Sequence, residues 1–207
     1  MSTPFYSRCK ATLKAVWRRN LAKVVRNTDG ATAVEFALVA APFFALLIAI
    51  LDVALIFVAQ EALETAVEQA ARLVLTGQAT CATVTTSCTP LTAATFKQTV
   101  CNELPGAFTC GSTAPSGTGY TMTGVMVDLQ TATAFTSANT GAPALTYSGG
   151  SVSNIWQFQP GQAGSIEVMR VMYQWPVFPG PLNLNFANLT NGAYLLMATA
   201  VFRNEPQ

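Results

Sequence analysis

Residues 36–59 read FALVAAPFFALLIAILDVALIFVA, and this stretch decides the fold. It contains no charge except Asp52, and the next charged residue is Glu61. As an α-helix, its 24 residues extend about 36 Å, enough to cross a hydrocarbon core of about 30 Å. A cleaved secretory signal has a shorter apolar core and a small-residue cleavage site after it. Here helical rhythm continues past Gln60, so the sequence predicts a retained membrane anchor.

Charge is distributed unevenly around this anchor. Residues 1–30 hold seven bases and one acid, a net charge of +6, whereas residues 31–207 hold four bases and nine acids, a net charge of −5. Bases before a membrane segment favour a cytoplasmic N-terminus. A nucleic-acid-binding arm is the alternative, but the bases stop where the apolar segment starts, so no nucleic-acid partner is predicted. We expect a single-pass protein in contact with membrane lipid.

The helix is predicted to continue beyond the membrane. Residues 60–77 place small and apolar side chains on one face and acids on another. The apolar stripe comprises Leu63, Val67, Ala70 and Val74, and the acids are Glu61, Glu64 and Glu68. Gly77 is a natural helix end. We therefore predict one helix from Ala31 to Leu75.

The chain is predicted to have three segments: a basic leader (1–30), the long helix (31–77, with its membrane part at about 36–59) and an exported domain (78–207). Within the exported domain, Thr-, Ser- and Gly-rich loops are predicted at 78–119 and 131–164, a short helix near 93–104, and strands at 120–129, 165–177 and 193–203. The strand at 165–177 is the clearest, because its apolar side chains alternate. The predicted fold is α+β: a long N-terminal helix packed on a small antiparallel sheet with long, disulfide-stapled loops.

Cysteine placement agrees with the predicted orientation. Cys9 stands alone in the basic leader, and four cysteines fall in the exported domain: Cys81, Cys88, Cys101 and Cys110. An even number in an oxidising compartment predicts two disulfides. Three pairings are possible, and the sequential one is marginally favoured. A zinc site is the alternative, disfavoured because the spacing lacks a C-x-x-C pair and the chain has no histidine.

No catalytic constellation emerges from the residue pattern. The absence of histidine removes the commonest general base, and no serine stands in a recognisable nucleophile motif. No glycine loop suited to phosphate is present. Asp52 and Asp128 fall in different predicted elements, which disfavours an aspartyl pair. The sequence therefore predicts no enzyme, no catalytic residue, no metal and no cofactor.

A short motif stands at the boundary between the leader and the apolar segment: RNTDGATAVEF, residues 26–36. It resembles the processing site of type IV prepilins, in which a membrane aspartyl peptidase cuts directly after the glycine. The resemblance implies that Gly30–Ala31 is the scissile bond and that Glu35 becomes the fifth residue of the mature chain. The alternative is that Gly30 only starts the helix and Glu35 is an interfacial charge that complements the helix dipole.

The resemblance narrows to the TadE-like family of the tight-adherence (Flp) pilus system. The similar features are Gly30, Glu35-Phe36, Pro42, Asp52, the stretch from Ala70-Ala71-Arg72 to Gly77, and the tail motifs at 171–176 and 198–203. Two departures matter, because many members have glutamate where Asp52 stands and the cysteine-rich middle is not a general trait. The resemblance implies a pseudopilin or minor pilin in the bacterial inner membrane, with its C-terminal domain in the periplasm.

The resemblance also implies roles for single residues. Glu35, next to Phe36, would pair with the new amino terminus at Ala31 of a neighbouring subunit. Asp52 is assigned on physical grounds instead: a carboxylate at membrane depth costs about 2.5–3.5 kcal/mol, so contact with another membrane subunit is predicted, and the alternative is that its side chain reaches the outer interface. The implied partners are a prepilin peptidase, other pilin subunits and the inner-membrane assembly platform. Two other readings stay open: an uncleaved, signal-anchored envelope protein that binds a partner, and an adhesin at the pilus tip.

Overall fold

The long helix α1 begins at Ala31 and ends at Leu75 in a computed structural model, which describes residues 30–81, 89–177 and 184–205. These are the predicted bounds, and Pro42 lies inside the helix without ending it. Gly77 then adopts a left-handed φ of 72°, which glycine does at little cost. The predicted leader, apart from Gly30, lies outside the described residues.

A second helix, α2, spans Ala93–Asn102, where the sequence predicts a short helix. A capping box starts it: the Thr92 hydroxyl accepts from the Thr95 N–H at 3.2 Å, and the Thr92 N–H donates to the Thr95 hydroxyl at 2.8 Å. Because both exposed donors gain partners, the sequence around Thr92 fixes the start of α2.

The described part of the chain then forms seven strands: β1 (Thr113–Ser116), β2 (Gly119–Met122), β3 (Met126–Ala132), β4 (Tyr147–Ser148), β5 (Ser151–Val152), β6 (Ile166–Pro176) and β7 (Ala193–Arg203). The main sheet is antiparallel with the order β3-β6-β7. Strands β1 and β2 form one antiparallel pair, and β4 and β5 form another. A 3-10 turn at Phe135–Ser137 follows β3.

The two long strands β6 and β7 confirm the predictions at 165–177 and 193–203. The predicted single strand at 120–129 is wrong, because the chain turns between β2 and β3. Gly124 has a φ of 68° there, and a Cβ on it would lie 2.2 Å from the Thr109 carbonyl oxygen. Strands β1, β4 and β5 lie where the sequence predicts loops. These segments are strands because they pair with a neighbouring strand, not because of their own composition.

The compact unit formed by residues 51–207 holds the hydrophobic core; residues 1–50 are assigned to a separate unit. The predicted stripe on α1, Leu63, Val67, Ala70 and Val74, is buried in this core. It shares the core with side chains from the sheet and α2, including Phe96, Leu129, Met169, Val171 and Leu196. The predicted packing of the outer part of the helix on the sheet is therefore confirmed.

A disulfide joins Cys101 in α2 to Cys110, before β1. Cys81 is also disulfide-bonded. Cys88 lies outside the described residues. The Cys101–Cys110 bond is one of the two bonds in the sequential pairing that the sequence favours, and it ties α2 to the loop that leads into the first hairpin.

Candidate functional site

The apolar segment, residues 36–59, presents large hydrophobic side chains on most of the helix surface. Exposed fractions run from 37% for Leu47 to 74% for Leu38. The exposed set is Phe36, Leu38, Val39, Phe43, Phe44, Leu46, Leu47, Ile48, Ile50, Leu51, Leu55, Phe57 and Val58. A soluble helix buries such residues, so this surface requires lipid or other apolar helices around it.

Thr32–Leu75 is the one helix in the described ranges with the length and apolar composition needed to cross a membrane. Its apolar part extends about 36 Å, against about 30 Å for a hydrocarbon core. The helix fits a single-pass membrane anchor at the N-terminal side of an α+β domain.

Gly30 stands at the start of this helix under no local constraint. Its φ is not in the left-handed region, and a Cβ added to it would meet no atom within 4 Å. Neither backbone conformation nor packing among the described residues therefore requires glycine at position 30. A requirement for glycine, if it exists, has to come from a molecule that approaches the chain here.

Two carboxylates mark the apolar part of the helix. Glu35 is exposed, Asp52 is half-buried, and neither side chain has a hydrogen bond or ion pair with the part of the chain that the structure describes. Seventeen residues separate them, about 25 Å along the helix axis, so they cannot act as one site. A carboxylate in the middle of a membrane helix costs about 2.5–3.5 kcal/mol, which favours partners on other molecules.

Beyond the apolar segment, α1 becomes amphipathic. Its buried stripe contacts the core, while Glu61, Glu64, Glu68 and Arg72 are exposed. The Gln60 amide donates to the Glu64 carboxylate at 2.7 Å and to the Met197 carbonyl at 3.0 Å. Gln60 therefore ties the helix to β7 just beyond the apolar segment.

Lys97 on α2 is buried beside the disulfide, which the sequence did not indicate. Its ammonium donates to the carbonyls of Ser112 at 2.8 Å and Thr123 at 2.7 Å. Burial lowers the pKa of Lys97 to about 8. The amine keeps two N–H donors when neutral, so both bonds survive deprotonation. Lys97 thereby fixes α2 against the two chain segments that flank the first hairpin.

The lowered pKa of Lys97 predicts a pH-dependent stability. Between about 8 and its ordinary 10.5, the unfolded chain holds the proton and the folded chain does not. Unfolding then takes up a proton, so the free energy of unfolding rises with pH across this window. We expect the melting temperature of the detergent-solubilised chain to rise between about pH 7.5 and 9.5, and Lys97→Met to reduce that rise. An equal rise in the variant would contradict this.

Three further charged groups are buried in the main sheet. The Arg170 guanidinium on β6 pairs with the Asp128 carboxylate on the adjacent strand β3. Glu167, also on β6, accepts from the Ser165 hydroxyl at 2.7 Å, and burial raises its pKa. In the sequence, Arg170 and Glu167 are recognisable as charged residues within a stretch of alternating apolar residues. Their partners follow only from the strand register. Within the described ranges, no cluster of metal-ligating side chains occurs.

Comparison with known proteins shows that almost the whole of α1 is similar to a known family. Residues 30–72 match the family model described as "TadE-like protein", so the match begins at Gly30 and covers about a fifth of the chain. No curated protein and no solved structure matches the chain. The match confirms the family that the sequence resembles over this segment and supports a role in the tight-adherence (Flp) pilus system.

Proposed function

We propose that this chain, whose residues 30–72 are TadE-like, is a pseudopilin or minor pilin that a prepilin peptidase cuts between Gly30 and Ala31. The mature protein is held in the inner membrane by residues 36–59 and takes part in assembly of a Flp-type pilus. It performs this role by binding other subunits, without catalysing a reaction.

The observation that carries the proposal is the unconstrained Gly30. A glycine that neither packing among the described residues nor its own backbone conformation requires stands where the seven bases of the leader give way to an apolar helix. A peptide bond entering a protease site needs an accessible backbone, which glycine provides. The family match also starts at this residue. Recognition by a peptidase accounts for the glycine, whereas the helix alone does not.

Orientation follows from charge. The basic leader favours the cytoplasmic side, which places the scissile bond at the cytoplasmic face and residues 78–207 in the periplasm. The periplasm also supports the disulfide between Cys101 and Cys110. The proposed partners are therefore the peptidase on one side of the membrane and, within it, pilin subunits and the assembly platform.

The apolar segment provides the surface for subunit association. Its exposed side chains suit lipid before assembly and neighbouring apolar helices afterwards, so transfer between the two states costs little hydrophobic free energy. Polar groups then decide which helices associate. Glu35 pairs with the amino terminus at Ala31 of a neighbouring subunit, and Asp52 contacts a further membrane subunit.

The proposal predicts that processing depends on Gly30. We expect the membrane-extracted protein to begin at Ala31 when its cognate peptidase is present and to keep its leader when the peptidase is absent. Gly30→Val adds bulk beside the scissile bond and should lower the processed fraction by about tenfold or more, since a tenfold loss needs only about 1.4 kcal/mol in the transition state. Intact mass and N-terminal sequencing measure both.

Gly106→Val is the matched control for this experiment. Gly106 is also exposed, has no left-handed φ, and a Cβ there would meet no atom within 4 Å. This variant should be processed like the wild type. If the wild-type chain keeps its leader with and without the peptidase, the prepilin assignment is wrong and an uncleaved, signal-anchored envelope protein takes its place.

A further inference from the structure

An apolar groove lies within the compact unit, between α1 and the start of β7. Its volume is about 560 Å³, within the range of about 300–1,000 Å³ typical of ligand pockets. The side chains that make it apolar include Val53, Ile56, Phe57, Phe186, Tyr194 and Leu195. The helix forms one wall of the groove. Residues 184–197 contribute to the other, which we call the sheet-edge wall.

Two hydrogen bonds fix the direction of β7 relative to the helix. The Gln60 amide donates to the Met197 carbonyl at 3.0 Å, and the Glu205 N–H donates to the Leu75 carbonyl at 3.1 Å. Residue 60 on the helix meets residue 197 in β7, and residue 75 meets residue 205 just after β7, so the helix and the strand run in the same direction. Residues before Met197 therefore extend past Gln60 toward the apolar segment.

The helix wall of the groove is itself part of the apolar segment. Val53 lies about 10 Å along the helix axis from Gln60. If residues 36–59 lie in hydrocarbon, the groove opens at the edge of the bilayer on the side of the domain. Tyr194 sits at this level, where an aromatic side chain with one polar end is favoured, and Phe186 adds a wholly apolar ring to the same groove. Water is a poor occupant, because few polar groups line the space.

We infer that this groove holds an acyl chain of a bilayer phospholipid, so that the domain rests on the membrane through its sheet-edge wall before assembly. The inference rests on the proposed membrane anchoring of residues 36–59. The acyl chain would contact Val53, Ile56, Leu195 and the two aromatic rings, and the headgroup would lie outside the groove. The domain is then held at a defined height and orientation above the bilayer.

Photolabelling of the full chain tests the inference. The protein is reconstituted into phosphatidylethanolamine–phosphatidylglycerol vesicles that contain a trace of phosphatidylcholine with a diazirine in its acyl chain. After irradiation and digestion, mass spectrometry locates the lipid adducts. We expect adducts on the apolar segment and also on the sheet-edge wall. Adducts on the apolar segment alone would overturn the groove assignment but leave the anchor intact, whereas adducts on neither would overturn both.

Variants separate the groove from general surface labelling. Leu195→Glu puts a carboxylate into the groove and should lower labelling of the sheet-edge wall by about tenfold, because burying that charge in hydrocarbon is costly. Phe135→Glu changes a side chain that is 58% exposed outside the groove and should leave labelling unchanged. Thermal unfolding confirms that both variants fold. Undiminished labelling in Leu195→Glu would overturn the assignment.

Protein density distinguishes lipid from a second copy of the chain. If lipid is the occupant, labelling of the sheet-edge wall relative to the apolar segment stays constant as the protein-to-lipid ratio rises. If labelling of the sheet-edge wall relative to the apolar segment falls as protein density rises, a neighbouring copy occupies the groove and the lipid assignment is overturned.

Discussion

Replacing Glu35 with alanine is expected to reduce surface pili by about tenfold or more while leaving the fold unchanged. Glu35 is exposed and has no partner in the part of the chain that the structure describes, so its loss removes no hydrogen bond or ion pair within that part. In an assembly of apolar helices, the same carboxylate would offset the positive amino terminus at Ala31 of a neighbour. A loss of only about 1.4 kcal/mol per contact lowers an association constant tenfold.

Two companion variants isolate the charge. Glu35→Gln keeps nearly the same size and hydrogen-bonding reach, so it should fail like Glu35→Ala if the ion pair matters. Glu61→Ala removes an exposed acid from the same helix beyond the apolar segment and should assemble normally. Sheared pilus mass measures assembly, and intact mass of the membrane fraction shows whether processing after Gly30 has changed.

The result separates the open readings of the protein. Loss of pili with normal processing places Glu35 in subunit association. Normal pili in both Glu35 variants would contradict the pairing with Ala31 and leave Glu35 as a charge at the membrane interface. Loss of adhesion with normal pili would instead favour the tip-adhesin reading.

Helices and strands whose signals lie close together in the sequence could be predicted from it. The bounds of α1 follow from a charge-free apolar run, a helical stripe and Gly77, all close in sequence. Strand β6 follows from the alternation of its apolar side chains and the prolines after them, and β7 follows from a mostly apolar run after Gly192. The residues of the proposed cleavage site could also be named from the sequence, because they form one contiguous motif, and their roles stay predictions.

Features that depend on strand pairing were not predictable. The turn at Gly124 divides a stretch that alternates well enough to read as one strand, and β1 becomes a strand because β2 pairs with it. The sheet-edge wall becomes part of a groove because β7 packs beside α1, where the Gln60–Met197 bond spans 137 residues. Asp128 and Arg170 are 42 residues apart, and the β3–β6 register brings them together.

Breaking the Asp128–Arg170 pair is expected to cause a large loss of stability. Both side chains are nearly inaccessible, at 2% and 8% exposed. Arg170 bonds the Asp128 carboxylate through Nε at 3.2 Å and through Nη2, and bonds the Gly141 carbonyl through Nη1 at 3.2 Å. The pair therefore joins β3, β6 and the loop around Gly141.

Arg170→Met leaves the Asp128 carboxylate buried without its cation. The remaining donors are the Gln157 N–H at 2.9 Å and the Gln130 amide at 3.0 and 3.1 Å, which are neutral. Removing one partner of a buried ion pair costs about 3–5 kcal/mol. For a chain of this size the melting temperature should fall by roughly 6–20 °C, measured by thermal unfolding of the detergent-solubilised full chain.

Two further variants test whether Arg170 stabilises the domain through Asp128. Arg72→Met is the control, because Arg72 is exposed and its side chain has no bonded partner among the described residues; it should change the free energy of unfolding by less than about 0.5 kcal/mol. Asp128→Asn combined with Arg170→Met removes both charges, while the introduced amide oxygen still accepts from the Gln157 N–H, so much of the lost stability should return. A double variant as unstable as Arg170→Met would show that Arg170 acts mainly through the Gly141 loop, not through Asp128.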